Sequence, residues 1–166
     1  LARAGINLLH GKDYGVHIGG TAQGILKPAD TVAGVAAGHS ITLAQQPELR
    51  VDSKGSKLVS TGAIAANRKT SYGAEGGASF RNFYAAGEYF RLDVDRTTVG
   101  AAASPFNPSF SGWYVQGAWT LTGERHVWSA SNGGFRGIFQ PIHSFDPKAG
   151  NWGAWEIAAR SSGRPA

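Results

Sequence analysis

Residues 110–122 read Phe-Ser-Gly-Trp-Tyr-Val-Gln-Gly-Ala-Trp-Thr-Leu-Thr. Alternate positions separate Trp113, Val115, Gly117, Trp119 and Leu121 from Tyr114, Gln116, Ala118, Thr120 and Thr122. Successive side chains of a β-strand point to opposite faces, so the run predicts a strand with one apolar and one polar face. The same alternation sets Tyr72, Ala74, Gly76, Ala78 and Phe80 opposite Ser71, Gly73, Glu75, Gly77 and Ser79. Towards the C-terminus, Trp155, Ile157 and Ala159 oppose Ala154, Glu156, Ala158 and Arg160. A weaker version places Tyr14, Val16, Ile18, Gly20 and Ala22 against Gly15, His17, Gly19, Thr21 and Gln23.

Working outward, apolar positions recur at the strand period and no segment carries a helical stripe. Six windows read as strands: Tyr14–Leu26, Ser40–Arg50, Thr70–Phe80, Phe83–Leu92, Phe110–Thr122 and Trp152–Arg160. Most reach the roughly 9–11 residues that a tilted strand needs to cross a bilayer. Only Arg81-Asn82 separates the third from the fourth, the mark of a tight hairpin. The other connections (Lys27–His39, Val51–Lys69, Asp93–Ser109 and Gly123–Asn151) are long. Tight turns alternating with long loops is the habit of outer-membrane barrels. Counted up and down, however, Gly123–Asn151 falls on the tight-turn side. Either it hides a further strand pair or that side is not uniformly short.

Long alternating strands suit a soluble sandwich, whose apolar face packs a core, or a transmembrane barrel, whose apolar face meets lipid. Three features favour the barrel. Trp113 and Trp119 lie on one face about 20 Å apart, and Tyr72 and Phe80 bracket their strand in the same way, resembling girdles around an apolar band about 25 Å tall. Ala74, Gly76, Ala78, Ala85, Gly87, Gly117 and Ala159 would fill a sandwich core poorly. Mid-strand charges keep to the polar face: Glu48, Glu75, Glu88 and Glu156, with Arg50 and Arg160 continuing those faces. The polar face also carries Gly15, Gly19, Gly73, Gly77 and Ala118, which fill little and predict a wide lumen.

Composition narrows the classes. The 166 residues include 24 Gly and no Cys, with 16% charged and 42% hydrophobic residues. That is too little charge for a disordered chain, and there is no disulfide or zinc-thiolate framework. No run of eighteen apolar residues exists to make a transmembrane helix. Net charge is +5, yet the basic residues form no run and do not interleave with aromatics as on a nucleic-acid stacking platform. Leu1 opens the chain without Met, and the segment after Arg160 has no strand signal, so both ends read as cut.

No catalytic constellation emerges. His10, His17, His39, His126 and His143 lack the spacing of a helical zinc site. Gly19–Gly24 lacks the Lys-Ser/Thr of a phosphate loop, and Asp93-Val94-Asp95 lacks the glycine and closing Glu of a calcium loop. Gly38-His39-Ser40 is not a nucleophile elbow. The four glutamates read more readily as a water-facing wall than as paired glycosidase carboxylates. No cofactor and no metal are expected.

Phe110 to Glu124, ending Thr-Leu-Thr-Gly-Glu, and Gly153-Ala-Trp-Glu-Ile-Ala-Ala-Arg160 resemble signatures of the phosphate-selective porin O and P family. Glu88-Tyr-Phe90 and Gln46-Pro-Glu48, the latter followed by Val59-Ser-Thr-Gly62, resemble further landmarks in the same order. The resemblance spans roughly residues 14–160. It implies an outer-membrane channel of about sixteen strands, usually a homotrimer in the Gram-negative outer membrane, passing anions such as phosphate. Such a barrel is over twice this length, so residues 1–166 would be part of a single barrel domain, incomplete at both ends. The family's constriction loop would lie in the absent earlier half. Gln46 stands where the family tends to place Arg, and Gln140 where it favours Lys, so two positive charges are missing.

The expected fold is therefore all-β, an antiparallel transmembrane β-barrel present as about six long strands. Expected lumen residues are Gln46, Glu48, Arg50, Glu75, Glu88, Gln116, Thr120, Glu156 and Arg160; expected lipid-facing or interfacial residues are Tyr72, Phe80, Trp113, Trp119 and Trp155. Expected partners are inorganic phosphate or other small anions and outer-membrane lipid, not nucleic acid. The competing reading is a binding or adhesion module, either a β-sandwich or a small eight-stranded barrel. An enzyme comes third.

Overall fold

The computed structural model describes residues 1–27, 31–32, 35–36, 39–45, 57, 59–96, 106–137 and 141–164. Eleven strands and one short 3-10 turn are present among them. They are β1 (Ala2–His10), β2 (Tyr14–Ile25), β3 (Thr31–Val32), β4 (Val35–Ala36), β5 (Ser40–Gln45), β6 (Val59–Phe80), β7 (Phe83–Arg96), β8 (Ser109–Thr120), β9 (Trp128–Ser129), β10 (Gly134–Phe135) and β11 (Glu156–Gly163), with the turn at Pro147–Ala149. The main sheet runs β1-β2-β6-β7-β8-β11, with β5 also paired to β6. The fold is all-β and antiparallel, as the alternation predicts.

The chain divides into two compact units, residues 1–22, 72–91 and 111–166 in the first and 23–71 with 92–110 in the second. In the second unit, β5 pairs antiparallel with the start of β6, from Ser40 opposite Ala65 to Gln45 opposite Val59. The register slips between Thr42 and Ala44, opposite Gly62, whose φ of +67° marks the irregularity. Arg68 holds Asp95 through Nε at 2.7 Å and Nη2 at 2.5 Å. Strand β7 continues beyond the expected Leu92 because Leu92 and Val94 keep the alternation going between Arg91, Asp93 and Asp95. Strand β6 likewise begins at Val59 rather than Thr70: Ala63 and Ala65 are weak apolar markers, and Arg68-Lys69 read as a loop. Of the expected Ser40–Arg50 window, Ser40–Gln45 is strand, and residues 46–50 lie outside the described residues.

In the first unit, β1 was not anticipated from the sequence. It pairs with β2 from Ala2 opposite Ala22 to His10 opposite Gly15, with a register shift between Asn7 and Leu9. The extra residue of such a bulge breaks period two, so Ile6, Leu8 and Leu9 never line up on one face in the sequence pattern. The Arg81-Asn82 hairpin is present as expected; Arg81 takes φ of +51°, a conformation that tight hairpin turns require. Asn82 ties that turn to the end of β8. Its carbonyl accepts from Thr120 N–H at 2.9 Å, and its amide donates to Thr120 O at 2.8 Å. Strand β11 pairs with β8 from Glu156 opposite Thr120 to Gly163 opposite Trp113. The long 123–151 connection does hide a further strand pair, but β9 and β10 pair only with each other and not with the main sheet.

The apolar face of the first unit has nothing packed on it among the described residues. Val115 is 54% exposed and Ile157 60%, and Ile18, Tyr72, Phe80 and Trp119 are exposed as well. Buried apolar side chains among the described residues amount to Ala66 and Val94, both in the second unit. A water-soluble sandwich would bury this face against a second sheet.

Candidate functional site: the polar wall and its inserted hairpin

The candidate site lies in the first unit. Strand alternation collects Glu75, Glu88, Gln116, Thr120, Glu156 and Arg160 on one face, and Tyr72, Phe80, Trp113, Trp119 and Trp155 on the other. Side-chain pairs across the strands agree. On the polar face Thr120 Oγ1 donates to Glu156 Oε2 at 3.3 Å, Gln116 Nε2 donates to Tyr84 OH at 3.4 Å, and the Arg160 guanidinium lies 4.1 Å over the Tyr114 ring. On the apolar face Phe83 stacks on Trp119 with ring centroids 5.8 Å apart, and Gly163 lies beneath Trp113. Gln46, Glu48 and Arg50 lie outside the described residues.

Sequence reading missed several members of the polar wall. Arg3, on the unanticipated β1, reaches across β2 and binds Glu75 Oε1 through Nη2 at 2.6 Å and Nε at 3.2 Å. Its Nη2 also donates to Gly133 O, in the β9–β10 turn, at 3.2 Å. His17 is buried between Trp128, at 4.4 Å between ring centroids, and Phe135, at 5.6 Å. Phe135 meets Tyr84 edge-on, and Tyr84 stacks on His126 at 4.5 Å. His126 Nε2 is 2.6 Å from Glu156 Oε2. The β9–β10 hairpin is therefore folded onto the polar face rather than projecting away from the sheet.

Two glycines show how the wall receives it. A Cβ at Gly15 would lie 3.3 Å from the Phe135 ring, and one at Gly77 would lie 3.2 Å from both Phe135 and His17. Of the small residues on this face from which a wide lumen is expected, Gly15 and Gly77 seat an aromatic ring. The signal was in the sequence as Gly15 and Gly77 on a polar face, paired with Trp128 and Phe135 in a loop, but nothing in the spacing says that they meet. Beyond the hairpin a cavity of about 270 Å³ remains, lined by Tyr84, Gln116, Ala118, His126, Glu156 and Arg160 among others. Thr120 shares the face but is fully buried at the end of β8.

The polar groups of this wall have partners in place. Arg3 is paired with Glu75, Glu156 is within hydrogen-bond distance of His126, and Arg160 rests on an aromatic ring. Among the described residues of this face no row of basic side chains runs along a strand.

Glu124 organises the root of the connection, outside the strands. It is buried, with Oε1 accepting from Ile142 N–H at 2.9 Å and Oε2 from the Thr122 hydroxyl. Burial pushes its carboxyl upward, but the Thr122 hydroxyl, the Ile142 N–H, its own N–H and nearby His143 together hold it below the ordinary carboxylate range. A lowered native pKa stabilises the folded connection above the unfolded pKa, and that stability is lost as pH falls through the carboxylate range towards the native value. A hydrogen bond to a charged group contributes about 1.5–3 kcal/mol. Glu124→Gln is therefore expected to speed exchange of the Ile142 amide at neutral pH by roughly 10- to 100-fold. In the native chain the same loss is expected on acidification, after correction for intrinsic exchange rates. A pH-independent protection factor at Ile142 would overturn this.

The model of the phosphate-selective porin O and P family matches residues 6–163. No curated protein matches the chain, and no solved structure does. The match runs from Ile6, within β1, to Gly163 at the end of β11 and includes the β9–β10 hairpin. With an all-β antiparallel sheet whose apolar face is bare and whose polar face receives a folded-in loop, this chain belongs to the phosphate-selective porin O and P family of outer-membrane β-barrels.

Proposed function

We propose that this chain forms part of the wall of a passive channel in the Gram-negative outer membrane, passing small hydrophilic solutes and anions such as phosphate among them. The observation that carries this reading is the separation of faces. One face of the first unit holds Glu75 and Glu88 together with Gln116, Glu156 and Arg160, the last three lining a cavity, while the other exposes Tyr72, Phe80, Val115, Trp119 and Ile157. In a barrel the first faces a watery lumen and the second faces lipid.

Strands β1 and β11 each have one paired neighbour among the described residues. In lipid each unpaired backbone group costs several kcal/mol. We therefore take residues 1–166 as part of a single larger barrel, and in keeping with the family we expect three copies to assemble. On this reading the segment purified alone gives no stable discrete conductance steps in a planar bilayer, whereas the complete barrel does. Steps from the isolated segment would favour the small eight-stranded barrel, and no steps from the complete protein would overturn the channel.

Selectivity follows charge lining the pore. Because Arg3 is paired with Glu75 and Arg160 lies on the Tyr114 ring, we expect this part to contribute little anion preference. Arg160→Ala in the complete protein is expected to leave the reversal potential in a salt gradient nearly unchanged. Complete loss of anion preference would place the selective site here after all.

A further inference from the structure

The connection from β8 to β11 has two limbs. The first limb, through β9 and β10, lies on the polar face. The second, residues 141–155, is tied to the end of β8 by Glu124 and Thr122 and rejoins the sheet at Trp155, whose side chain falls on the apolar face by alternation. Leu121 N–H donates to Trp155 O at 2.8 Å, extending the β8–β11 ladder by one rung on the alternation of Trp119 and Ile157. The Trp155 indole N–H donates to Trp152 O at 2.8 Å, and the Trp152 ring meets Phe145 edge-on at 6.5 Å.

This limb is ordered by its own bonds. Asp146 and Asn151 exchange backbone hydrogen bonds at 2.9 Å, and the Asp146 carboxylate accepts from the N–H groups of Lys148 and Ala149. Gly150 and Gly153, with φ of +76° and +71°, make its turns. Yet Phe145 is 65% exposed, Trp152 61% and Trp155 56%. Two rings in contact and a third bonded to the backbone of one of them, all exposed to water, form the kind of patch that marks an interaction surface. The patch joins the bare apolar face at Trp155, bonded through its carbonyl to exposed Leu121. Its aromatic bodies with polar edges suit the headgroup level of a bilayer. The Asp146 carboxylate is turned onto backbone N–H groups, and exposed Lys148 supplies a cation of the kind that meets lipid phosphates.

We propose that residues 142–155 form an interfacial foot that beds Phe145, Trp152 and Trp155 in the headgroup layer of the phospholipid leaflet on the tight-turn side, with Lys148 among the phosphates. The inference rests on the reading that the apolar face meets lipid, and the experiment separates the two. The chain has no cysteine, so single-cysteine variants carry one nitroxide each. Ser144→Cys samples the foot, Val115→Cys the middle of the apolar face and Asn132→Cys the tip of the inserted hairpin. The complete protein is reconstituted in phosphatidylethanolamine–phosphatidylglycerol vesicles, and collision with oxygen is compared with collision with a water-soluble nickel chelate.

The expected result is an oxygen-to-chelate ratio highest at Val115→Cys, lowest at Asn132→Cys, and at Ser144→Cys severalfold above Asn132→Cys. If Val115→Cys is oxygen-dominated but Ser144→Cys matches Asn132→Cys, the foot stands in water and the proposal falls while the lipid-facing belt survives. If Ser144→Cys is shielded from both agents, a second copy covers the patch and the proposal also falls. Chelate-dominated collision at Val115→Cys would remove the lipid-facing reading itself, and the foot with it.

Discussion

Val115→Arg is expected to destabilise the complete, reconstituted barrel by about 2–4 kcal/mol, while Gln116→Arg, one residue on, costs little. Val115 lies between Trp113 and Trp119 on β8, two residues from the first and four from the second, and is 54% exposed in the described chain. Within the apolar band an arginine there must be taken out of water, which is the source of the cost. Gln116 points to the other face, where its amide meets the Tyr84 hydroxyl beside the cavity. An arginine at that site remains hydrated and adds a positive charge to the solute path, so the reversal potential is expected to shift towards anion preference. Reversible urea unfolding in lipid vesicles reads the first quantity and bilayer recording the second. In a water-soluble protein an exposed Val→Arg change stays within about 0.5 kcal/mol, so a neutral Val115→Arg would end the lipid-facing assignment. If Gln116→Arg is the more damaging of the pair, the faces of β8 are exchanged.

These two neighbours also show what could be read from sequence. Strand alternation is a local property, and it separated Val115 from Gln116, Trp155 from Glu156 and Tyr72 from Glu75 without any coordinates. It failed at β1 because one bulged residue between Asn7 and Leu9 shifts the apolar positions out of phase. Arg3, the cation that holds Glu75, was lost with that strand. It also stopped short at Arg68-Lys69, where β6 continues although its alternation carries charge. The position and seating of the inserted hairpin were beyond reach for another reason. Two-residue strands carry no periodic signal, and the match of Phe135 to Gly15 and Gly77 is a tertiary fact joining residues from three separate strands. The glycines were visible but were read as empty space. Thr120 illustrates the same limit: its face was legible, but the burial imposed by Asn82 and Glu156 was not.

If the β9–β10 hairpin stands in the solute path, removing it must widen that path. Replacing residues 127–136 by a short Gly-Ser linker is expected to raise single-channel conductance on the order of twofold, because pore width and lining set the current. The hydrogen bond from Arg136 N–H to Val127 O, 2.9 Å, already closes the base of this segment, so a short linker can span it without disturbing Glu124 and Ile142. The stability cost is moderate. The hairpin is seated by the rings of Trp128 and Phe135 against His17 and Tyr84 and by the Arg3 bond to Gly133 O. Each ring pair contributes about 0.5–1.5 kcal/mol beyond its area, and the main sheet keeps all of its ladders. Gly77→Val approaches the same state by a single substitution. Its Cβ would lie 3.2 Å from Phe135 and from His17, and the added methyl groups reach further still, so the seat is filled and the hairpin displaced. The two variants should therefore agree in direction. Glu88→Gln, on the same wall and without a bond to the hairpin among those described, serves as the control that changes charge without changing width. A hairpin deletion that folds, inserts and conducts no better than the native protein would show that β9 and β10 brace the wall away from the path. In that case the conductance of Gly77→Val would also stay at the native value, and its defect would be confined to stability.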